Sequence, residues 1–356
     1  MSSIDLMGLV RKKIKNLSAY HVENLSDEIK LHANENPYPP SPELLKKIFL
    51  GLGELELNRY PDPECRNLKQ AIANKTGALP EQIIIGNGSD ELIQYLMQVL
   101  CDEGDHIAFP DPTFAMYGIT ANCLGLNPVH FSLNHNWDFE AQSALKVLAK
   151  HKARLVFLSY PNNPTGNCFS EQPIQQIIEQ FDGIVVVDEA YQDFSGKSFL
   201  KQMKNHNNLV ILRSLSKIGL AGLRIGYGIF PSILAEQVNK VRLPYNSNTL
   251  SQCVATELLN DFNHVEKQIH SILEERDRVM HELSKLPSII TYPSNSNFIL
   301  FKVPSGGENL FNKLKNNRIL VRNLNSHPKL KNCLRVTIGT KLENNQFVEQ
   351  LRKISP

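Results

Sequence analysis

Ile184-Val185-Val186-Val187 runs straight into Asp188-Glu189-Ala190-Tyr191, and the reading of this stretch decides the fold. Four apolar residues in a row leave no side for water, so the segment suits a strand covered on both faces. Leu155–Ser159 has the same character, and residues 209–212 and 225–230 resemble it. Upstream, strands are expected at residues 82–86, 106–109 and 129–133. Between them the pattern turns helical, over Ser89–Leu100 and over residues 115–122 and 139–151. In the first of these helices Leu92, Ile93, Leu96 and Val99 share one face. Strands alternating with helices in this way predict an α/β layered domain with a mainly parallel sheet.

After Pro231 the pattern changes. Three helical stretches follow, the longest a charged one over residues 265–286. Strands at 298–303, 319–321 and 334–338 then interleave with helices at 309–316 and 343–354, which describes a smaller α+β unit. The segment before Ser41 has too little apolar periodicity to fold alone and is expected to pack on the small domain or on a partner subunit. The expected division is therefore 1–40 for the N-terminal segment, 41–245 for the large domain and 246–356 for the small one.

Composition narrows the function classes. The 356 residues are 42% hydrophobic, enough for a large core, and 38 Lys and Arg balance 36 Asp and Glu to a net charge of +2. That balance gives no electrostatic case for nucleic acid or an anionic membrane. No apolar run approaches the roughly 20 residues that span a bilayer, and residues 1–17 lack the apolar centre of a secretory signal. Six cysteines lie far apart without metal-ligand spacing, so no metal is expected and they read as reduced thiols of a cytoplasmic protein.

Several motifs could bind phosphate. Gly86-Asn87-Gly88-Ser89-Asp90-Glu91 follows a strand and opens a helix, but Glu91 stands where a dinucleotide fingerprint has its third glycine. Its mechanical content survives, since free N–H groups at a helix start favour an anion; a plain turn with Ser89 as cap is the competing reading. Gly196-Lys197-Ser198 has the ending of a P-loop, but Tyr191 occupies the leading glycine's position, so this is a polar surface turn and ATP binding is rejected. Asp188 stands where a buried strand ends, at the sheet edge where α/β folds place ligands. Lys217, in Ser214-Leu215-Ser216-Lys217, follows another apolar strand. Singly these two read as a helix cap and a solvated lysine. Together with Asn163-Pro164-Thr165-Gly166 they form a set.

The set resembles the fold-type I pyridoxal-phosphate aminotransferases, and among them most closely the histidinol-phosphate aminotransferase family. The likeness runs from Asn16-Leu17-Ser18-Ala19-Tyr20 to Leu334-Arg335-Val336-Thr337-Ile338-Gly339-Thr340. It rests on Tyr160-Pro161-Asn162-Asn163-Pro164-Thr165-Gly166, Val187-Asp188-Glu189-Ala190-Tyr191 and Ser214-Leu215-Ser216-Lys217. Leu31-His32-Ala33-Asn34-Glu35-Asn36-Pro37, Asn58-Arg59-Tyr60-Pro61 and the pair Arg322 and Arg335 narrow it further.

The resemblance implies a large domain built on a mainly parallel seven-stranded sheet with helices on both faces, plus a smaller α+β domain. It implies that pyridoxal 5′-phosphate is carried by Lys217, which also shuttles a proton at the substrate's Cα. Asp188 would pair with the pyridinium nitrogen, Asn163 and Tyr191 with the ring's 3′-oxygen, and Phe114 would lie over the ring. The phosphate would be held by Gly88, Ser89 and Asp90, by Ser214, Ser216 and Arg224, and by Tyr60 from the other subunit of a homodimer. The substrates implied are histidinol phosphate and 2-oxoglutarate, gripped by Arg322 and Arg335 with help from Tyr20 and Asn36. One departure stands out: six residues, 218–223, separate Lys217 from Arg224 where a common family form has seven.

Other readings share part of this evidence. An aromatic amino acid transaminase or a threonine-phosphate decarboxylase of the same superfamily would use the same cofactor set. A non-catalytic regulator that binds the cofactor would carry an added DNA-binding domain, and no helix-turn-helix is legible before the N-terminal segment.

Overall fold

The computed structural model describes residues 4–15, 17, 28–53 and 55–354. Its strands are β1 (Ile29–Leu31), β2 (Ile83–Asn87), β3 (His106–Asp111), β4 (Asn127–Ser132), β5 (Leu155–Ser159), β6 (Ile184–Asp188), β7 (Leu209–Ser214) and β8 (Ile225–Ile229), then β9 (Ile290–Thr291), β10 (Phe298–Lys302), β11 (Ile319–Asn323) and β12 (Cys333–Thr337). Seven of them form one sheet in the order β2-β8-β7-β6-β5-β3-β4, parallel except for β8. The α/β expectation holds, with the seven strands and the smaller second sheet.

Period-two alternation shows why the central strands read as continuously apolar. In β6, Val185 and Val187 face one buried layer while Val186 faces the other; in β5, Val156 and Leu158 oppose Leu155 and Phe157. Helices cover both faces, so neither set meets water. The two prolines in the sheet sit where a missing N–H does no harm. Pro128 is in β4, an edge strand, and Pro110 lies beyond Ala108, the last residue at which β3 pairs with β5. This explains why β4 begins two residues earlier than expected.

Strand order places the opening. From β3 the chain steps outward to β4, then returns to build β5, β6, β7 and β8 on the other side. The reversal lies between β3 and β5, and the two strands separate toward their C-terminal ends. Such switch points are where open α/β sheets form their crevices.

The second sheet has the order β1-β11-β12-β10-β9, with β1 parallel to β11 and the other pairs antiparallel. Helix Asn263–Ser284 and helix Lys341–Ile354 pack together beside it. Helices Pro42–Gly53 and Arg66–Thr76, not anticipated from periodicity, pack on helix Thr249–Asn260. Ser251 Oγ in that last helix donates to Leu223 O at 2.8 Å. No helix among the described residues is long and apolar enough to cross a membrane, and none of their His, Cys, Asp and Glu side chains cluster as a metal site.

Candidate active site

A cavity of ≈ 260 Å³ opens at the C-terminal edge of the large sheet and is closed from the other side by the small one. The parallel strands deliver its walls one after another. Asn87 ends β2 ahead of Gly88, Ser89 and Asp90; Asp111 ends β3 ahead of Thr113 and Phe114; Ser159 ends β5 ahead of Asn163. Asp188 ends β6 ahead of Tyr191, and Ser214 ends β7 ahead of Ser216 and Lys217. Because β8 runs the opposite way, Arg224 enters it from this same edge.

Asp188 belongs to the face of β6 that also carries Val186, and it meets Tyr117 there. Tyr117 Oη donates to Asp188 Oδ2 at 2.7 Å, and Ala190 N donates to Oδ1 at 3.1 Å. Burial pushes the Asp188 carboxyl up to about 6, against the pull of those two hydrogen bonds. Among the described residues no cationic side chain lies within ion-pair distance of it. Tyr117 is itself stacked on Phe157, with ring centroids 4.8 Å apart, and meets Phe114 edge-on at 5.5 Å. Behind Asp188, the buried Glu189 takes both Arg213 Nε and Nη2 at 3.0 and 2.9 Å, an ion pair that fixes the end of β6 against β7.

Lys217 Nζ lies 3.5 Å from Ala33 O and 5.9 Å from the centre of the Tyr191 ring. Burial is the main reason its amine is brought down to about 8, and Arg335 and Arg224 push the same way. Tyr191 Oη accepts from Asn34 Nδ2 at 2.8 Å and from Asn163 Nδ2 at 3.3 Å.

Gly88 has φ +81, and a Cβ there would sit 2.5 Å from Arg224 Nη2, so a side chain would fill the cup between them. Arg224 Nη2 lies 3.2 Å from Asp90 Oδ2, and Nη1 lies 3.5 Å from Ser216 Oγ. The shortened loop therefore still brings this arginine to the cavity. It does so through two short 3-10 turns, with Arg224 at φ +58. At Gly226 a Cβ would fall 2.3 Å from Ser89 N, so glycine there lets β8 press against the helix start.

Across the cavity, Arg322 on β11 and Arg335 on β12 are direct register partners. Arg335 Nη1 donates to Asn163 Oδ1 at 2.5 Å and Nη2 to His32 O at 2.7 Å. The two guanidinium-bearing residues share one face of the small sheet and both line the cavity.

Some expected residues lie elsewhere. Asn36 is not in the cavity wall; its amide is engaged with Gln268 Oε1 at 2.8 Å and with Tyr38 N at 2.9 Å. Tyr60 is 80% exposed and stacks on Tyr245 with centroids 4.4 Å apart, away from its own cavity. Tyr20 lies outside the described residues. Gly196-Lys197-Ser198 is a turn whose lysine pairs with Glu171, as a polar surface turn should. Tyr117, Asn34 and His32 were missed. Tyr117 follows Phe114 by three residues, a helical spacing that could have exposed it, and Asn34 stands in the motif from which Asn36 was chosen.

A profile of the family described as Aminotransferase class I and II matches residues 26–351. The chain belongs to that family; its half-buried Lys217 and buried Asp188 face one cavity between the two sheets. Over 347 residues it is 41% identical to histidinol-phosphate aminotransferase 2 of Nitrosococcus oceani, covering 96% of each chain. It is 37% identical over 347 residues to the histidinol-phosphate aminotransferase of Aquifex aeolicus, covering 97% of this chain and 98% of that one. The crystal structure of the histidinol-phosphate aminotransferase from Clostridium acetobutylicum superposes with a TM-score of 0.84 at 26% identity, over 91% of this chain and 98% of that one.

Proposed function

We propose that the protein is a pyridoxal-phosphate-dependent histidinol-phosphate transaminase of histidine biosynthesis. It passes an amino group between L-histidinol phosphate and 2-oxoglutarate, giving imidazole acetol phosphate and L-glutamate. The observation that carries the substrate is the pairing of Arg322 and Arg335 in strand register on the wall facing Lys217. Histidinol phosphate has no carboxylate but ends in a phosphate, and two adjacent guanidinium groups suit that dianion. The same pair suits the carboxylates of 2-oxoglutarate in the second half-reaction.

The donor set fits the cofactor. Asp188 is a buried carboxylate with no cation beside it among the described residues, which suits a protonated pyridine nitrogen. Gly88, Ser89, Asp90, Ser214, Ser216 and Arg224 surround a cup kept open by a glycine, which suits the phosphate. When bound, pyridoxal phosphate supplies the electron sink that lets the substrate's Cα–H bond break. Lys217 would anchor it through an amine that burial has made easier to deprotonate, and its Nζ would hold and move the Cα proton. Asp188 would pair with the ring nitrogen and Tyr191 would donate to the ring oxygen, while Phe114 lines one side of the cavity.

The homodimer belongs to the same proposal. Leu57 and Leu243 are 71% and 66% exposed close in sequence to the stacked Tyr60 and Tyr245, and Phe49 and Leu50 are exposed on the preceding helix. A second copy covering this face would receive Tyr60 at its own phosphate cup. Six cysteines far apart in the sequence and without metal-ligand spacing accord with a cytoplasmic enzyme.

The deciding experiment is a glutamate-coupled assay with histidinol phosphate and 2-oxoglutarate. A kcat/KM for histidinol phosphate well above those for phenylalanine, tyrosine and threonine phosphate is expected. A preference for any of these three overturns the assignment.

A further inference from the structure

Tyr191 Oη is met by two amides, and each turns its nitrogen toward the phenol oxygen. Arg335 Nη1 lies at Asn163 Oδ1, so Asn163 must turn Nδ2 toward Tyr191. Thr337 Oγ1 accepts from Asn34 N at 2.9 Å and donates to Asn34 Oδ1 at 3.1 Å. Asn34 therefore also presents Nδ2 to Tyr191. A phenol oxygen has two acceptor positions and one proton. Both positions are occupied, and among the described residues no protein group takes the proton. Tyr191 lines the cavity, so the cavity is where its O–H points.

Asn34 is held firmly for this task. It is 1% exposed, sits at φ +57, and its carbonyl accepts from Asn297 Nδ2 at 3.0 Å. Thr337 ends β12 and Asn297 immediately precedes β10, so the small sheet sets the position of the Asn34 amide.

We propose that Asn34 is a positioning residue through which the small sheet commits the Tyr191 hydroxyl as a donor into the cavity, toward the anionic ring oxygen of the cofactor. This rests on the reading of the cavity as a pyridoxal-phosphate site. Asn163 occupies one acceptor position of Tyr191; Asn34 occupies the second and removes the hydroxyl's remaining choice. Withdrawing the small sheet would withdraw Asn34 and free the hydroxyl to turn, so the donor is set only when the two sheets are docked.

The visible absorption of the bound cofactor, titrated with pH, reads this arrangement directly. A donor to the ring oxygen favours the deprotonated form and keeps the titration midpoint low. Asn34→Gly removes the amide and is at ease at positive φ, whereas Asn34→Asp keeps the size but can only accept, drawing the Tyr191 proton away from the cavity. The midpoint should rise by about 0.5–1 unit in Asn34→Gly and further in Asn34→Asp. In a Tyr191→Phe background Asn34→Gly should not move it, and Asn34→Asp should move it less than with the hydroxyl present, by its added charge alone. Equal shifts with and without the Tyr191 hydroxyl, or an unmoved midpoint in both single variants, overturn the role of Asn34. Thermal melts identify a variant that does not fold, in which case the other carries the test. A wild-type protein that develops no visible band with pyridoxal phosphate overturns the cofactor reading itself.

Discussion

Tyr117 Oη donates to Asp188 Oδ2 at 2.7 Å from within the apolar layer under the sheet. The bond favours the charged carboxylate, and burial opposes it. Tyr117→Phe removes the bond and leaves the ring stacked on Phe157, so the Asp188 carboxyl should rise above its present value of about 6. A hydrogen bond to a charged group is worth ~1.5–3 kcal/mol, so the carboxyl's midpoint in the cofactor-free protein, read by infrared difference titration of its carboxyl band, should move up by about 1–2 units. An unmoved midpoint counts against the coupling.

Asp188→Asn should stabilise the cofactor-free protein while removing most of its turnover. A carboxyl with a folded value of about 6, against an ordinary 3.8, binds its proton more tightly in the folded state. Stability therefore falls as pH rises through that window, and above it the cost levels at about 3 kcal/mol. The neutral amide escapes the cost. Melting curves should show the variant ahead at pH 7–8, with the advantage gone near pH 4; a variant that melts earlier at pH 8 refutes this.

If Lys217 anchors the cofactor, it should govern the pH dependence of cofactor uptake. Its amine, lowered to about 8, is mostly protonated at pH 6 and mostly free at pH 9. Only the free amine is a nucleophile, so uptake by the cofactor-free protein should quicken about tenfold per unit below pH 8 and level off above it. Stopped-flow absorbance measures this. Lys217→Ala should neither turn over nor retain cofactor after borohydride. A rate flat between pH 6 and 8 contradicts the lowered amine.

Truncating Arg322 or Arg335 should weaken histidinol phosphate far more than histidinol. One charge-assisted bond is worth about 1.5–3 kcal/mol, on the order of 10–150-fold in kcat/KM. Arg335 also holds Asn163 and the His32 carbonyl, so its truncation should lower kcat as well, whereas that of Arg322 should act mainly on KM. Equal losses on both substrates would make the arginines structural.

Hybrid dimers test the trans contribution of Tyr60. A Lys217→Ala chain and an inactive Tyr60 variant, unfolded, mixed and refolded, pair at random, and half of the dimers are mixed. Each mixed dimer then has one intact site, so about a quarter of wild-type activity should return. If Tyr60 serves its own chain, the mixture stays at background.

The large sheet was legible because two-sided burial writes itself into uninterrupted runs such as residues 184–187, and helix Ser89–Leu100 was legible from a one-sided apolar stripe. Motif residues at strand ends were equally readable, since each follows such a run. Of the segments that escaped, helix Pro42–Gly53 carries a readable stripe in Leu44, Ile48 and Leu52 that was passed over, and two others have weaker local signals. Helix Arg66–Thr76 carries few apolar residues, and β1 is three residues long and exists because β11 pairs with it. Tyr117 and Asn34 escaped for another reason: each acts through a contact far away in the chain, Tyr117 on Asp188 and Asn34 on Tyr191 and Thr337. Local pattern carries no record of such partners, and Asn36 was preferred over Asn34 though the two share one motif.

Arg335 closes the cavity by reaching Asn163 across 172 residues and His32 across 303. In a chain made from its N-terminus, the lysine, the aspartate and the phosphate cup all lie within residues 88–224. They leave the ribosome about 5–20 s before the arginine wall does. For that interval a nascent chain carries the residues proposed to hold the cofactor but not those proposed to choose a substrate. On that proposal, selectivity has to wait for the last strand, whenever loading occurs.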